Sequence, residues 1–221
     1  MTPPLEEMPL FPLNAVLLPY QAIPLFVLDE RYVEMISLCL REDRAFGVVL
    51  IREGEEVGGV PEPYLVGTSA RIITYHEMED GKLHVLAVGE RRFRIRHFDY
   101  SRPYLVGYVE PIIEMELEED PASRTLIEVA KETFLKHLSY LFGRQDVRLK
   151  VQFTDDPVAL SFAMAGCVQL AVLEKQHLLE LTDTAERIRW IIPRLEAQAE
   201  KFMGYLTTEP LDEFEEYFCS N

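Results

Sequence analysis

The hydrophobic period of the chain changes once, near an acidic segment at residues 114–120. Before this segment, short apolar runs separated by Pro and Gly are typical of β-strands. After it, apolar residues recur every three or four positions, which is typical of helices. A chain of 221 residues can form one large domain or two small ones. We therefore predict a strand half at residues 1–115, a helical half at 116–206 and a short tail at 207–221.

Eight apolar runs in the strand half are candidate strands. Asp80 and Gly81 separate two runs rich in β-branched and aromatic residues, and Asp-Gly favours a two-residue type I′ hairpin turn. One helix interrupts the strands, because Asp29 can cap a segment with apolar residues at spacings of three and four. The candidate strands are Met8–Leu13, Ala15–Leu18, Ile23–Leu28, Phe46–Ile51, Tyr64–Tyr75, Leu83–Val88, Phe93–Phe98 and Leu105–Ile113.

Two Asp-Pro pairs mark helix starts in the helical half, with the Asp at Asp120 and at Asp156. An Asp side chain accepts from the free N–H groups of a first turn, and Pro fits the first helical position. Asp183 followed by Glu186 resembles a capping box that opens the last helix. Pro193 is predicted to bend or break that helix, because it lacks a backbone N–H.

The charge balance limits the classes of partner. The chain has 38 acidic and 22 basic residues and a net charge of −16. Nucleic acids and anionic membranes are bound by clustered Lys and Arg, so neither partner is expected. No segment has the roughly 18 apolar residues of a membrane span, and the N-terminus lacks the basic start of a secretion signal. Three cysteines without CxxC spacing predict free thiols and a cytoplasmic protein.

The sequence offers no motif for catalysis or metal binding. It has no GxSxG elbow and no phosphate-binding Gly-Lys-Ser/Thr loop, and its histidines lack metal-ligand spacing. Asp155 and Asp156 suggest a pair of carboxylates for acid–base work, but the Pro that follows makes a helix cap the better interpretation. We therefore expect no catalytic residue, no metal and no cofactor.

Arg92, Arg94 and Arg96 are a local reversal of charge in this acidic chain. They alternate with Phe93 and Ile95, so a strand would carry three guanidinium groups on one face and two apolar side chains on the other. Two interpretations remain open. The arginines form either a solvated face paired with the chain's own carboxylates or an anchor for a carboxylate-bearing partner.

The tail at residues 207–221 is acidic and aromatic. It places Phe214, Tyr217 and Phe218 among carboxylates and contains no basic residue. Either this tail is frayed, or it docks on a partner or on a groove of its own chain.

Short motifs along residues 8–206 resemble a known family in their order and spacing. These motifs are Pro9–Leu13, Val16–Pro19, Pro24–Phe26, Glu30–Tyr32, Val66–Thr68, Asp80–Gly81, Val88–Ile95, Asp155–Pro157, Glu174–Glu180 and Asp183–Arg187. Together they resemble the N-terminal substrate-binding domain of the ATP-dependent protease Lon. The resemblance implies an α+β fold, in which a mostly antiparallel PUA-like pseudo-barrel with one helix is followed by a helical bundle.

The resemblance also implies a role. In Lon this region helps to recognise substrate polypeptides and to assemble the protease, whereas the ATPase and Ser-Lys peptidase domains of Lon find no match in these 221 residues. We therefore expect a non-enzymatic module, such as an adaptor, that binds unfolded or flexible polypeptides. A protease and the chain's own tail are further candidate partners. The alternatives are an enzyme whose site is assembled by the fold, and an RNA-binding protein by analogy with PUA-like folds.

The candidate polypeptide-binding residues are Phe26, Tyr75, Arg92 and Arg94. Edge strands interrupted by Pro offer backbone groups for strand addition, and apolar pockets can read side chains. A cleft between the two halves is a natural position for such a site. Phe26 has a competing interpretation as a core residue.

Overall fold

Strands occupy the first half of the chain and helices dominate the second. The computed structural model describes residues 4–56, 59, 61–115, 117–142 and 151–208, so the predicted tail lies outside the described residues from 209 on. The strands are β1 (Glu6–Leu13), β2 (Ala22–Val27), β3 (Phe46–Glu53), β4 (Glu62–Pro63), β5 (Val66–Glu77), β6 (Leu83–Asp99) and β7 (Val106–Pro111). The helices are α1 (Glu30–Glu42), α2 (Pro121–Phe142), α3 (Pro157–Cys167), α4 (Val172–Glu180) and α5 (Thr184–Thr208).

Five strands close into a barrel in the order β1-β7-β6-β5-β3, because β1 also pairs with β3. The β1–β3 pairing is parallel and places Leu10 opposite Gly47 and Leu13 opposite Leu50, and the other pairings between these strands are antiparallel. Because the barrel is closed, each of these strands has a paired neighbour on both sides within the barrel wall. Within the described residues, a mostly antiparallel sheet with five helices confirms the predicted α+β fold.

Close approach inside the barrel requires a glycine on β5. A Cβ atom on Gly67 would lie 2.5 Å from the Val48 carbonyl oxygen and 2.8 Å from the Phe93 ring. Any side chain at this position would push β5 away from β3. This packing explains why a glycine stands in the Val66–Thr68 motif.

Three strands extend beyond the barrel wall as an arm, which we define as β2, residues 71–77 of β5 and residues 83–88 of β6. β6 is one strand of 17 residues where two strands are predicted. Its first half pairs with β2 and its second half with β7, so one long strand links the arm to the barrel. The predicted strand Ala15–Leu18 is absent, and Leu17 and Leu18 are buried in an irregular segment instead of a ladder.

The helix α1 covers the inner face of the arm. The Asp29 carboxylate caps it by accepting from the Arg31 N–H at 3.0 Å, which confirms the predicted cap. Met35, Ile36 and Cys39 of α1 are buried against the strands in one apolar core. The outer face of the arm has no such helix among the described residues.

The β5–β6 hairpin lies where Asp80 and Gly81 predict it, but the predicted type I′ turn is wrong. The Gly81 N–H donates to the Met78 carbonyl at 2.9 Å, and the Met78 N–H donates to the Lys82 carbonyl at 2.8 Å. Gly81 has a φ of 76°, whereas Asp80 does not have a positive φ. These bonds define a three-residue loop from Glu79 to Gly81 that ends in a glycine bulge, and this loop needs only one residue with positive φ.

Gly81→Ala is expected to destabilise the fold by about 1 kcal/mol, because an L-residue is strained in the left-handed conformation. A Cβ at Gly81 would meet no atom within 4 Å, so the loss is conformational and not steric. Gly59→Ala is the matched control, since its Cβ also meets no atom within 4 Å and its φ is not left-handed. Urea unfolding followed by circular dichroism measures both variants. Equal stability of the two would show that the glycine bulge is not required.

The predicted helix starts of the helical half are confirmed. The Asp120 carboxylate accepts from the Ser123 N–H at 2.6 Å, and the Asp156 carboxylate accepts from the Val158 N–H at 2.9 Å. Asp183 caps α5 in the same way. Local capping chemistry therefore sets the N-termini of α2, α3 and α5.

Pro193 is predicted to bend or break α5, and the break is wrong, because the helix continues through this residue. Ile191 and Leu195 on either side are fully buried, and tertiary packing of this face outweighs the loss of one backbone hydrogen bond. The helix reaches Thr208, two residues beyond the predicted end of the helical half.

Candidate functional site

The outer face of the arm carries exposed apolar side chains. Phe26 on β2 is 66% exposed and stacks flat on the His84 ring, with the ring centroids 4.5 Å apart. Leu86 is 36% exposed on the same face of β6 and lies opposite Pro24. His76 of β5 lies on the other side of His84. Phe26 is therefore a surface residue, and its interpretation as a core residue is wrong.

Tyr75 lies on the inner face of the arm, opposite Val85 and beside α1. It borders a groove of about 360 Å³ between α1 and the β5–β6 hairpin. The groove belongs to the strand half and not to a cleft between the two halves. Phe26 and Tyr75 thus lie in the same arm but on opposite faces. Side chains that line the groove with Tyr75 include Val33, Leu40, Arg41, Glu77 and Leu83.

Arg92 does not lie at the surface. It is 3% exposed, and its Nη1 donates to the carbonyls of Leu179 and Leu181, each at 2.6 Å. Both carbonyls are at the C-terminus of α4, where free carbonyls and the helix dipole favour a positive charge. The Nη2 of Arg92 donates to a carboxylate oxygen of Glu114.

Glu114 connects Arg92 to a second buried arginine. Its other carboxylate oxygen accepts from the Nη2 of Arg187 at 3.0 Å, and Arg187 is fully buried. Arg187 also donates to the Leu181 carbonyl at 2.6 Å. Its guanidinium carbon lies 4.1 Å from the centre of the Phe162 ring, and that of Arg92 lies 5.3 Å from the same ring. We call Arg92, Glu114 and Arg187 the junction cluster, because they join the strand half to the helical half.

Burial lowers the pKa of both arginines in the junction cluster, and the Glu114 carboxylate opposes this shift. A guanidinium group keeps its charge in such surroundings better than any other basic group. The cluster therefore holds two buried positive charges against one partly exposed carboxylate. Such a group of charges is stable only while each member keeps its partners.

The predicted arginine face is divided between interior and surface. Arg94 is half-buried, and Arg96 at the surface pairs with Glu110 of β7. Arg92 and Arg94 alternate with the buried Phe93 and Ile95 as predicted, but the ladder shifts register at Arg96, and the helical half covers the position of Arg92. The expectation that Arg92 lies on a solvated face is wrong, since its guanidinium is enclosed by α4, α5 and Glu114. We therefore leave Arg92 out of the binding surface proposed below and keep Arg94.

No motif in the sequence marks Glu114 and Arg187 as the partners of Arg92. Arg187 does carry a signal, because it falls on the apolar stripe of α5 beside Ile188 and Ile191, where a charge needs a buried partner. Glu114 carries none. It stands in a run of acidic residues that reads as a solvated linker.

Arg92→Ala is expected to lower the free energy of unfolding by about 3 kcal/mol, because it removes half of a buried charge cluster and leaves the Leu179 carbonyl and one Glu114 oxygen without their donor. Arg96→Ala removes an exposed arginine from the same strand and is expected to destabilise the protein far less, because its ion pair with Glu110 is at the surface. Denaturant unfolding of the two variants measures this difference. A similar small loss in both would contradict the role of the junction cluster.

Cys39 and Cys167 are free thiols, and burial raises the pKa of the Cys39 thiol to about 11. Such a thiol stays protonated and unreactive near neutral pH. Among the described residues, no group of three or more His, Cys, Asp or Glu side chains is placed to hold a metal ion. No described helix combines the length and the apolar composition that crossing a membrane requires.

Comparison with known proteins identifies the family. The ATP-dependent protease La (LON) substrate-binding domain matches residues 7–197, so this chain belongs to that family. The resemblance seen in the sequence is thereby confirmed. Lon protease of Escherichia coli (strain K12) is 29% identical over 201 residues, which cover 87% of this chain and 25% of the relative. The chain thus spans about a quarter of the length of this curated relative.

Solved structures of the same kind share the fold. A Lon N-terminal domain protein from Xanthomonas campestris has a TM-score of 0.61 and 27% sequence identity, covering 85% of this chain and 98% of its own. The N-terminal domain of the Mycobacterium avium complex Lon protease has a TM-score of 0.63 at 21% identity, covering 86% and 98%. The second likeness concerns the fold alone.

Proposed function

We propose that this chain binds unfolded or flexible segments of other polypeptides on its arm and catalyses no reaction itself. The observation that carries the proposal is the exposed outer face, where Phe26 and Leu86 lie on adjacent paired strands. Exposed apolar side chains grouped in this way are typical of interaction sites. Membership of a substrate-binding family supports the same function.

Apolar contact has to supply most of the affinity. Full burial of an aromatic or aliphatic side chain contributes about 1.5–3 kcal/mol, whereas an exposed ion pair contributes about 0–1 kcal/mol. Phe26 and Leu86 are only partly exposed, and ordering a flexible partner is unfavourable, so we expect micromolar dissociation constants. Arg94 is half-buried in the barrel wall opposite Val66, so it adds a charged contact only for a partner that extends beyond the arm.

A protease is the further partner that we propose, with this chain as its adaptor or its substrate-holding part. The relative from Escherichia coli is a Lon protease, of which this chain spans a quarter. The chain's own acidic tail is a second candidate occupant of the arm. We place the protein in the cytoplasm, where free thiols such as Cys39 and Cys167 stay reduced. The net charge of −16 argues against nucleic acids and anionic membranes as partners.

Replacing both outer-face residues, by Phe26→Ser and Leu86→Ser together, is expected to weaken binding of an unfolded polypeptide about tenfold or more. The probe is fluorescein-labelled lysozyme that has been reduced and carbamidomethylated, so that it stays unfolded. Fluorescence anisotropy at physiological ionic strength gives the dissociation constant of each protein.

Tyr100→Ser is the control for this pair of substitutions. Tyr100 is an aromatic residue of similar exposure, 62%, but it follows the far end of β6, outside the arm. Its replacement is expected to leave the affinity unchanged. An unaltered affinity in the double variant, or an equal loss in the control, would refute the proposed binding face.

A further inference from the structure

β5 leaves one edge of the arm without a strand partner. The Met78 N–H bonds to the Lys82 carbonyl, and an antiparallel ladder bonds every second residue, so His76 also bonds to β6. Tyr75 and Glu77 then direct their N–H and C=O groups away from β6. In the part of the chain that the structure describes, β5 pairs with β3 only through residues 68–70, so this outer edge is open.

The other edge of the arm is protected, and the edge of β5 is not. β2 contains Pro24 at a position whose backbone faces away from β6, so this edge has lost a donor. Proline on an edge strand is a common protection against strand addition. Residues 71–77 of β5 contain no proline. Of these two edges of the arm, the β5 edge is therefore the one that keeps all of its outward N–H and C=O groups.

A groove lined by both apolar and polar side chains runs beside this open edge. Its volume of about 360 Å³ falls within the range of ligand pockets, about 300–1,000 Å³. Val33 and Leu40 of α1 form one wall, and Tyr75 and Leu83 form the other. Side chains of an added strand alternate between its faces, so every second one would point toward α1 and enter this groove.

Exposed carboxylates stand in and next to the segments that line the groove. Glu77 lines it directly, and Glu34 and Glu79 lie one and two residues along the chain from the lining residues Val33 and Gly81. In the described part of the chain, none of these three carboxylates has a basic partner within 4.0 Å. Arg41 is the basic side chain that lines the groove. The net charge of −16 adds a long-range attraction for cations.

We infer that the open edge of β5 binds an extended, lysine- or arginine-containing polypeptide segment as an added strand, with alternate apolar side chains in the groove beside α1. This inference rests on the proposed binding of polypeptides and specifies a backbone site and a charge for it. The bound segment gains hydrogen bonds to Tyr75 and Glu77 that are independent of its sequence. Its apolar and basic residues supply the selectivity.

The first test uses the unaltered protein and labelled peptides of about 12 residues that alternate valine with polar residues. One peptide carries lysines, the second carries glutamates at the same positions, and the third is the lysine peptide with N-methyl groups on alternate amides. We expect the lysine peptide to bind about tenfold more tightly than either of the others, since the others lose charge complementarity or strand hydrogen bonds. Equal binding of the N-methylated peptide, or of the glutamate peptide, would overturn the inference.

The second test changes the edge itself. Glu77→Pro removes an outward N–H and blocks the edge, and Glu77→Ala removes the carboxylate alone. The proline variant is expected to bind the lysine peptide about tenfold more weakly than the alanine variant. Urea unfolding of both variants shows whether the arm remains folded. Equal affinities in two folded variants would overturn the inference.

These experiments distinguish a wrong site at the β5 edge from a wrong proposed function. If the lysine peptide binds and only the outer-face double variant weakens it, the β5 edge is not the site, and the proposed function stands. If neither the lysine peptide nor unfolded lysozyme binds the unaltered protein, both proposals are wrong.

Discussion

The junction cluster holds the two halves of this molecule in one arrangement. Arg92 from β6 and Arg187 from α5 share the carboxylate of Glu114, and both donate to the Leu181 carbonyl at the end of α4. Hydrogen bonds to buried charges are directional, and the loss of any partner leaves an uncompensated charge. Apolar contact accompanies the cluster, because Leu18 and Val66 of the strand half belong to the core of the helical half. Apolar burial stabilises the contact between the two halves, and the directional hydrogen bonds of the junction cluster determine how the halves are aligned.

Local signals in the sequence were sufficient for much of the fold. The helix caps at Asp29, Asp120, Asp156 and Asp183 and the hairpin at Gly81 each depend on a few neighbouring residues, so they could be predicted. The turn type could not, since Asp-Gly fits a two-residue loop and a bulged three-residue loop equally well. Pro193 shows the opposite failure, in which tertiary packing overrides a strong local rule.

The candidate site was less predictable, because alternation assigns a side chain to a face but does not show what covers that face. Arg92 and Arg96 are assigned to one face by strict alternation, yet helices enclose Arg92, whereas Arg96 follows a shift in register and meets solvent. Phe26 is the opposite case. An apolar residue on a strand is usually buried, but nothing in the sequence shows that this one is exposed. The outer face of the arm is exposed, because α1 covers only the inner face. The strands of the barrel wall, in contrast, are paired with one another.

The central claim is that other polypeptides bind on the arm, and hydrogen–deuterium exchange measures it most directly. Exchange of the backbone amides of this protein is compared with and without saturating unfolded lysozyme, since a bound partner slows the exchange of the amides it covers or pairs. The account predicts slower exchange in residues 22–27 and 71–77, including the Tyr75 and Glu77 amides that face the open edge. Slower exchange confined to α2–α5, with the arm unchanged, would contradict it.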